Sequence, residues 1–281
     1  MIMNVFDALA VAFMQGVSEL FPISSLGHAV VVPAVLGWQV DQGSEAFLPF
    51  LVVLHMGTAA ALLAFFWREW LAILSAALGK GPQAARAENR HLLMLIALAS
   101  LPAGTIGLLL ERRIESLFAA PPLAALFLMV NGLMLFAGEQ RRRKEGFRTV
   151  AHLGPVEALW IGLWQSLALL PGISRSGATM VAGLLAGLRP EDAARFSFLL
   201  ATPIIGAAGL LELPRLLRQG IASSDLGLIL LSGVVAGVVA YLSVAFLVRY
   251  FRRREVEALN PFAYYCWAVG AIALIAFGFI R

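Results

Sequence analysis

Charged residues are scarce in this 281-residue chain, at 14% of the total, and cysteine occurs only once. A soluble domain carries about a quarter charged residues, so a protein surrounded by water on all sides is excluded. The single cysteine, Cys266, lies in an apolar segment, which excludes an intrachain disulfide and a cysteine-based metal cluster. With 60% hydrophobic residues and a mean hydropathy of +0.85, much of the surface is predicted to face lipid.

Basic residues are also missing ahead of the first apolar stretch, and no small-residue cleavage site with a charged lead-in follows. We therefore expect the N-terminus to be retained structure and not a signal peptide. The pI of the whole chain is nevertheless near 9.7. Because Lys and Arg accumulate in the cytoplasmic loops of membrane proteins, this excess indicates membrane topology, and we expect no nucleic-acid partner.

Two interrupted stretches, 2–37 and 156–188, break the apolar pattern with polar residues and proline. Each has the length of two short helices joined by a polar turn. Uninterrupted apolar runs long enough to cross a ~30 Å hydrocarbon core follow both stretches. We predict membrane-spanning helices at 47–66, 92–110, 117–138, 226–248 and 262–280, with a shorter candidate at 196–211. Three predicted spans therefore follow each interrupted stretch.

The two interrupted stretches align without a gap at a spacing of 150 residues. Residues 15–28 read QGVSELFPISSLGH and residues 165–178 read QSLALLPGISRSGA, so that Gln, Leu, Ile, Ser and Gly coincide. In secondary transporters, interrupted segments at matching positions of two halves point to the binding site. The alignment thus predicts two related halves whose polar turns build one site.

The charges of the predicted loops indicate how the halves are oriented. If each interrupted stretch enters and leaves on one side, each half crosses three times and the second half is inverted. Loops 68–90, 139–155, 189–195 and 249–261 then share one side and hold 15 Lys or Arg, whereas the other side holds 5. The richer side is predicted to be cytoplasmic, with both termini extracytoplasmic and Arg141–Lys144 anchoring a cytoplasmic loop.

The predicted fold class is an all-α polytopic membrane protein with two inverted-topology repeats. Each repeat comprises a re-entrant broken helix hairpin and three transmembrane helices. The chain is predicted to form a single membrane domain, 1–281, with repeat one at about 1–138, repeat two at about 156–281 and a cytoplasmic loop at 139–155.

An anion site is predicted where the hairpins turn. Pro22 and Pro171 mark the breaks, and Ser24 and Ser174 follow where a new helix can start, since serine is a preferred N-cap. A helix N-terminus offers free N–H groups and a positive dipole end to an anion. Two such termini that converge would suit a phosphate or diphosphate.

Arg175 strengthens the prediction, because a charge at bilayer depth is costly and usually functional. Its planar guanidinium matches phosphate oxygens in a bidentate way, and Ser174, Ser176 and Thr179 add hydroxyl donors around it. The alternative is a purely structural salt bridge between Arg175 and Glu19.

Gln15 and Glu19 are four residues apart and so lie on one helical face. A divalent cation could bridge Glu19 to phosphate oxygens, with Gln15 as a neutral oxygen ligand, because magnesium favours few carboxylates plus phosphates. The alternative is a packing pair. Ser25 and His28 can share a face of the next helix, which allows a serine nucleophile with an imidazole base. The imidazole could instead attack phosphorus or protonate the leaving group, and the alternative to these roles is a packing histidine. For His55 structural and functional roles stay equally open.

These residues resemble the undecaprenyl-diphosphate phosphatase family, also called bacitracin-resistance proteins, over nearly the whole chain. The resemblance rests on two long motifs in the same order and on two shorter segments. These are Gln15–Glu19 with Pro22–His28, Pro171–Thr179, His55–Thr58 and Arg195–Pro203.

The resemblance implies hydrolysis of undecaprenyl diphosphate to the monophosphate at the outer face of the bacterial plasma membrane. This activity recycles the lipid carrier for peptidoglycan and confers bacitracin resistance. It also implies a divalent cation, Mg²⁺ or Ca²⁺, at Glu19 and Gln15, catalysis by Ser25, His28, Glu19 and Arg175, and contact with membrane lipids; a homodimer is left open. The predicted diphosphate-binding residues are Ser24, Ser174, Arg175, Ser176 and Thr179.

Two other functions compete with hydrolysis. A polyprenyl-phosphate flippase could share the inverted repeats and the anion site without needing a Ser–His pair. A phosphatase of the phosphatidic-acid type would need a further histidine, with an Asp four residues later, after the Ser-Arg element. No histidine follows Arg175, so this type is excluded.

Overall fold

The computed structural model describes residues 4–38, 47–117, 120–141, 148–219, 223–254 and 257–279. Within these ranges the chain forms eleven α-helices and two short 3-10 helices, and no β-strand. The α-helices are α1 Val5–Ser18, α2 Ser25–Leu36, α3 Phe47–Phe65, α4 Trp67–Ala77, α5 Gln83–Leu117, α6 Pro121–Arg141, α7 Pro155–Gln165, α8 Arg175–Leu185, α9 Pro190–Gln219, α10 Ser223–Arg253 and α11 Asn260–Phe279. The 3-10 helices are Val150–His152 and Ser166–Leu169.

Five of the described helices contain a segment long and apolar enough to cross a membrane. These segments are Gln83–Leu110, Pro121–Arg141, Pro190–Leu210, Leu226–Arg253 and Asn260–Gly278. A sixth span is formed if α3 and α4, which meet at an angle of 77°, are taken together. The prediction of an all-helical polytopic membrane protein is therefore confirmed, and the shorter candidate at 196–211 is part of a full-length span.

The prediction of a loop at 68–90 is wrong, because only a short turn near Gly79 separates α4 from α5 there. Helix α4 buries Ile73 and Ala76 on one face and exposes Trp67, Leu71 and Leu74 on another. Glu69 of this helix pairs with Arg195 of α9 at 2.8 Å. The charged and polar residues of α4 and early α5 give this segment the composition of a loop, although its backbone is helical.

One helical hairpin precedes the spanning helices in each half, as the interrupted stretches predict. Helix α1 packs against α2, and α7 packs against α8. The first hairpin rests on α10 of the second half, whereas the second hairpin rests on α5 of the first half. Each half therefore supports the hairpin of the other. In addition, α6 of the first half packs against α11 of the second.

The contact between α3 and α10 is close enough to require glycine. A Cβ atom added to Gly57 would lie 2.1 Å from the carbonyl oxygen of Gly233. The two backbones therefore approach directly, which holds α3 and its polar residue His55 at a fixed height beside the first hairpin.

The connection between the two halves is only partly described. Arg142, Arg143 and Lys144, predicted as a cytoplasmic anchor, lie outside the described residues. Beyond them, the Arg148 guanidinium pairs with Glu157 of α7 and donates to the carbonyl oxygen of Ala186 at 3.1 Å. This arginine joins the start of the second hairpin to its end.

Candidate functional site

The first break lies between Ser18, where α1 ends, and Ser25, where α2 begins. Ser24 caps α2, and its Oγ accepts a hydrogen bond from the backbone N–H of Gly27 at 3.2 Å, so its prediction as an N-cap is confirmed. Its φ of +71° is rare for a residue with a side chain. Such a conformation costs on the order of 1–3 kcal/mol and persists only when its surroundings enforce it.

The second break lies between Gln165, where α7 ends, and Arg175, where α8 begins. Ser174 caps α8 in the same way, and its Oγ accepts from the backbone N–H of Gly177 at 3.1 Å. The φ of Ser174 is −84°, an ordinary extended value. Both predicted N-caps are therefore present, on backbones of different shape.

The two breaks are in contact through hydrogen bonds to their backbones. Ser176 Oγ donates to the carbonyl oxygen of Phe21 at 3.1 Å. Asn131 of α6 donates from Nδ2 to the carbonyl oxygen of Pro22 at 3.0 Å and accepts at Oδ1 from the N–H of Ser174 at 2.9 Å. A broken helix frees such groups, and lipid offers them no partner, so each break is completed by residues from outside it.

Two glycines allow the breaks to touch. A Cβ atom on Gly27 would lie 2.8 Å from the Cα of Gly172, too close for any side chain. Gly172 also has a φ of +110°, which favours glycine over other residues. The contact brings the residues that follow each break into one cluster.

Glu19 is the centre of this cluster and only 7% exposed. Its Oε2 accepts from Ser25 Oγ at 2.6 Å and from Gln15 Nε2 at 3.1 Å. Its Oε1 lies 3.3 Å from Nη2 of Arg175, whose side chain is 11% exposed. The salt bridge weighed from the sequence is thus present, and it lies beside a serine hydroxyl whose hydrogen bond is directed at the same carboxylate.

His55 joins the cluster from α3, although its spacing in the sequence left its role open. Its Nε2 lies 3.4 Å from Glu19 Oε2, and its side chain is 22% exposed. Its Nδ1 lies 2.8 Å from the carbonyl oxygen of Leu51. Because a carbonyl only accepts, Nδ1 carries a proton and Nε2 is the nitrogen that faces the carboxylate.

His28 lies on the same helix as Ser25, as predicted, but its ring bonds other partners. Its Nδ1 donates to the carbonyl oxygen of Ser24 at 2.6 Å, and its Nε2 lies 2.9 Å from the hydroxyl of Tyr265. The imidazole is 3% exposed and stacks on the Tyr265 ring, with centroids 5.6 Å apart. Ser25 therefore bonds Glu19, while His28 bonds the peptide before Ser25.

The hydroxyl groups around Arg175 are buried and bonded to protein atoms. Ser174 Oγ lies 3.0 Å from Ser176 Oγ, and Thr179 Oγ1 lies 2.7 Å from Ser197 Oγ. Arg175 itself donates from Nη1 to the carbonyl oxygen of Ser197 at 3.2 Å, and its buried Nε meets no acceptor among the described residues. An unpartnered guanidinium N–H beside a carboxylate and a hydroxyl is a donor that an anionic ligand can use.

The donor set for a metal ion is sparse. No group of three or more His, Cys, Asp or Glu side chains with metal-binding geometry occurs in the part of the chain that the structure describes. Gln15 Oε1 is buried there without a hydrogen-bond partner, next to Glu19. One carboxylate and one unpartnered amide oxygen fit a cation such as Mg²⁺, which takes few protein ligands and completes its shell with water and phosphate oxygens.

Comparison with known proteins assigns the chain to a family. The family model described as bacitracin resistance protein BacA matches residues 8–272. The chain belongs to this family. It is 51% identical to the undecaprenyl-diphosphatase of Acidiphilium cryptum, with 97% of this chain and 98% of that protein covered. It is 50% identical to undecaprenyl-diphosphatase 2 of Chromobacterium violaceum, with 97% and 99% covered.

Membership in the BacA family confirms the resemblance found in the sequence. The matched residues, 8–272, include both breaks and all nine predicted site residues. Together with the five apolar helices, it identifies the chain as a multi-pass inner-membrane protein. Three of the residues that meet at Glu19 are predicted site residues, namely Gln15, Ser25 and Arg175.

Three residues of this BacA-family site are not among the residues predicted from the sequence, namely Asn131, Ser197 and Tyr265. Asn131 carries a signal that could have found it, because it is a lone polar amide in the predicted span 117–138 and polar residues at bilayer depth are rarely idle. Ser197 lies in the segment Arg195–Pro203 that carries the resemblance, but nothing in its spacing links it to the breaks, and Tyr265 carries no signal at all. Serine and tyrosine are common in apolar helices, and their partners Thr179 and His28 are distant in the chain.

Proposed function

We propose that the protein hydrolyses undecaprenyl diphosphate to undecaprenyl phosphate and inorganic phosphate. The observation that carries the proposal is the 2.6 Å hydrogen bond from Ser25 Oγ to Glu19 Oε2, with Arg175 3.3 Å from the other carboxylate oxygen. A nucleophile, a base and a cationic anchor for phosphate thus meet in one buried cluster. The names of the relatives, 51% and 50% identical, support the same substrate.

The chemistry follows from these contacts. Ser25 Oγ attacks the terminal phosphorus and passes its proton to Glu19, since a serine needs an adjacent base. The Oγ–P bond forms as the P–O bond to the lipid phosphate breaks, and undecaprenyl phosphate leaves. Glu19 returns the proton to the departing undecaprenyl phosphate and is a carboxylate again. Glu19 then takes a proton from water as the water oxygen bonds to phosphorus and the P–Oγ bond breaks; this proton passes to Ser25 Oγ, and inorganic phosphate leaves. The hydrogen bond of Ser25 favours Glu19 over His28 as the acceptor of the proton.

Arg175 and the two helix N-termini stabilise negative charge on the phosphates. Its Nε is the unpartnered donor, and α2 and α8 both begin at the cluster. Donors already in place where charge develops are usually the largest catalytic contribution. In this proposal Ser24, Ser174, Ser176 and Thr179 bind the diphosphate mainly by shaping these N-termini, because their hydroxyls are already bonded to the protein.

A divalent cation, Mg²⁺ or Ca²⁺, would be held by Glu19 and Gln15. The unpartnered Gln15 Oε1 supports this assignment. Such a cation would neutralise charge on the phosphates and orient them.

We also propose inverted repeats, with the active site open to the extracytoplasmic side and both termini on that side. The helix contacts support this arrangement, since the first hairpin packs against α10 of the second half and the second hairpin packs against α5 of the first half. The 15-to-5 division of basic residues supports the orientation. At the outer face the enzyme would recycle the carrier for peptidoglycan synthesis and confer bacitracin resistance. A homodimer stays a prediction.

The deciding experiment measures phosphate release from undecaprenyl diphosphate by the purified protein in detergent with Mg²⁺ or Ca²⁺. We expect turnover by the wild type and none by Ser25→Ala, which should still bind the lipid. Ser100→Ala is the matched control, because the Ser100 hydroxyl bonds the Ile96 carbonyl of its own helix. If the wild type bound the lipid and released no phosphate, the polyprenyl-phosphate flippase would replace the enzyme.

A further inference from the structure

Ser24 and Ser174 occupy equivalent positions in the two breaks, yet their backbones differ. Both cap a helix and both accept from the N–H of a glycine three residues later. Ser174 has φ −84° and ψ 127°, whereas Ser24 has φ 71° and ψ 101°. Capping therefore does not require the strained conformation, and something particular to the first break holds Ser24 in it.

The two breaks differ at the residue that contacts the carbonyl oxygen of the capping serine, which is His28 in the first break. Its counterpart 150 residues later is Ala178, which has only a backbone N–H to offer the capping residue, 2.8 Å from the Ser174 carbonyl oxygen. His28 gives the Ser24 carbonyl two donors, its backbone N–H at 3.2 Å and its ring Nδ1 at 2.6 Å. The short ring contact is unique to the break whose serine is strained.

The imidazole is itself held rigidly. The Tyr265 hydroxyl donates to Nε2 at 2.9 Å while Nδ1 donates to Ser24, so both ring nitrogens are bonded to the protein. The ring is 3% exposed and stacks on Tyr265 of α11. An imidazole that is bonded at both nitrogens and shielded from solvent is suited to holding its bonded neighbours in place, and not to exchanging a proton with a ligand.

We propose that His28 is a positioning residue that clamps the strained Ser24 peptide and so directs the Ser25 hydroxyl at Glu19. The proposal rests on the proposed function, in which Ser25 is the nucleophile. Rotation of the Ser24–Ser25 peptide would swing the first residue of α2 away from the carboxylate that it meets at 2.6 Å. A displacement of about 1 Å at a reacting atom is enough to cost on the order of 100-fold in rate.

Three substitutions at residue 28 separate a clamp from a proton carrier. The amide nitrogen of His28→Asn falls where Nδ1 lies and can donate to Ser24, but Asn does not titrate. The amide of His28→Gln reaches the Nε2 position near Tyr265, and His28→Ala reaches neither. We expect His28→Asn to keep kcat within about threefold of the wild type, and the other two to lose on the order of 10- to 100-fold with little change in KM.

The strain at Ser24 is tested by adding Ser24→Gly to the His28→Ala variant. Glycine adopts positive φ without a Cβ penalty, so Ser24→Gly should recover about tenfold of the kcat that His28→Ala loses. Lack of recovery, together with a His28→Asn variant as inactive as His28→Ala, would overturn the clamp and assign His28 to proton transfer. Phosphate release by the wild type keeps the two proposals distinct, because its absence would count against the proposed function and not against the clamp alone.

Discussion

The side chain of Asn131 accepts a hydrogen bond from the backbone N–H of Ser174 at 2.9 Å, although Asn131 belongs to neither hairpin. The same side chain donates to the carbonyl oxygen of Pro22 at 3.0 Å and is fully buried. One amide of α6 therefore satisfies a freed donor of one break and a freed acceptor of the other. Its geometry sets the distance between the two halves of the site.

Replacement of Asn131 by Leu should loosen this link at nearly constant volume. Two backbone groups would lose their partners, at about 1–3 kcal/mol for each buried group, so the thermal unfolding temperature in detergent should fall and kcat with it. Asn131→Asp keeps the acceptor for Ser174 and should retain more activity. Asn89→Leu is the control, because Asn89 bonds Ala85 of its own helix at the surface. Unchanged turnover in Asn131→Leu would mean that the breaks hold their positions without the amide.

The pair of Glu19 and Arg175 should show strong coupling in stability. Removing one partner of a buried ion pair leaves an unpaired charge and costs about 3–5 kcal/mol, whereas removing both is far milder. We expect Glu19→Gln and Arg175→Gln each to lower the unfolding temperature, and the double variant to recover most of it without any phosphate release. Additive losses in the double variant would argue against a stabilising pair.

Gly27→Ala should separate the hairpins. The added Cβ would lie 2.8 Å from the Cα of Gly172, an atom of the backbone that cannot rotate away. We expect a loss of activity of at least tenfold, since the displacement moves Ser25 relative to Arg175. Gly104→Ala is the matched control, because a Cβ there meets no atom within 4 Å. Equal activity of the two variants would contradict the close contact.

The proposed orientation can be tested with single cysteines, because Cys266 is the chain's own cysteine and is buried. In a Cys266→Ala background, Asn4→Cys and Lys80→Cys place a thiol at exposed positions predicted on opposite sides. A membrane-impermeant thiol reagent added to intact cells should label residue 4 and spare residue 80 until the membrane is opened. The reverse pattern would invert the topology, and labelling of both before opening would contradict a position on opposite sides.

The sequence predicted the parts of this site that depend on local chemistry. Ser24 and Ser174 are recognised because a serine after a proline-marked break is a helix cap, and Arg175 and Glu19 because charges at bilayer depth are costly. The strain at Ser24 and the partner of His28 could not be predicted. They depend on a tyrosine 237 residues further along the chain and on how α11 packs, which no local pattern records.

The carbonyl groups of Phe21 and Pro22 have a further consequence for biogenesis. Their partners, Ser176 and Asn131, are synthesised 155 and 109 residues later. Until then the first hairpin carries polar backbone that hydrocarbon does not solvate. Asn131 arrives with the last span of the first half, but Ser176 arrives only with the second hairpin. We therefore expect the first hairpin to reach its final depth only after the second hairpin has been synthesised.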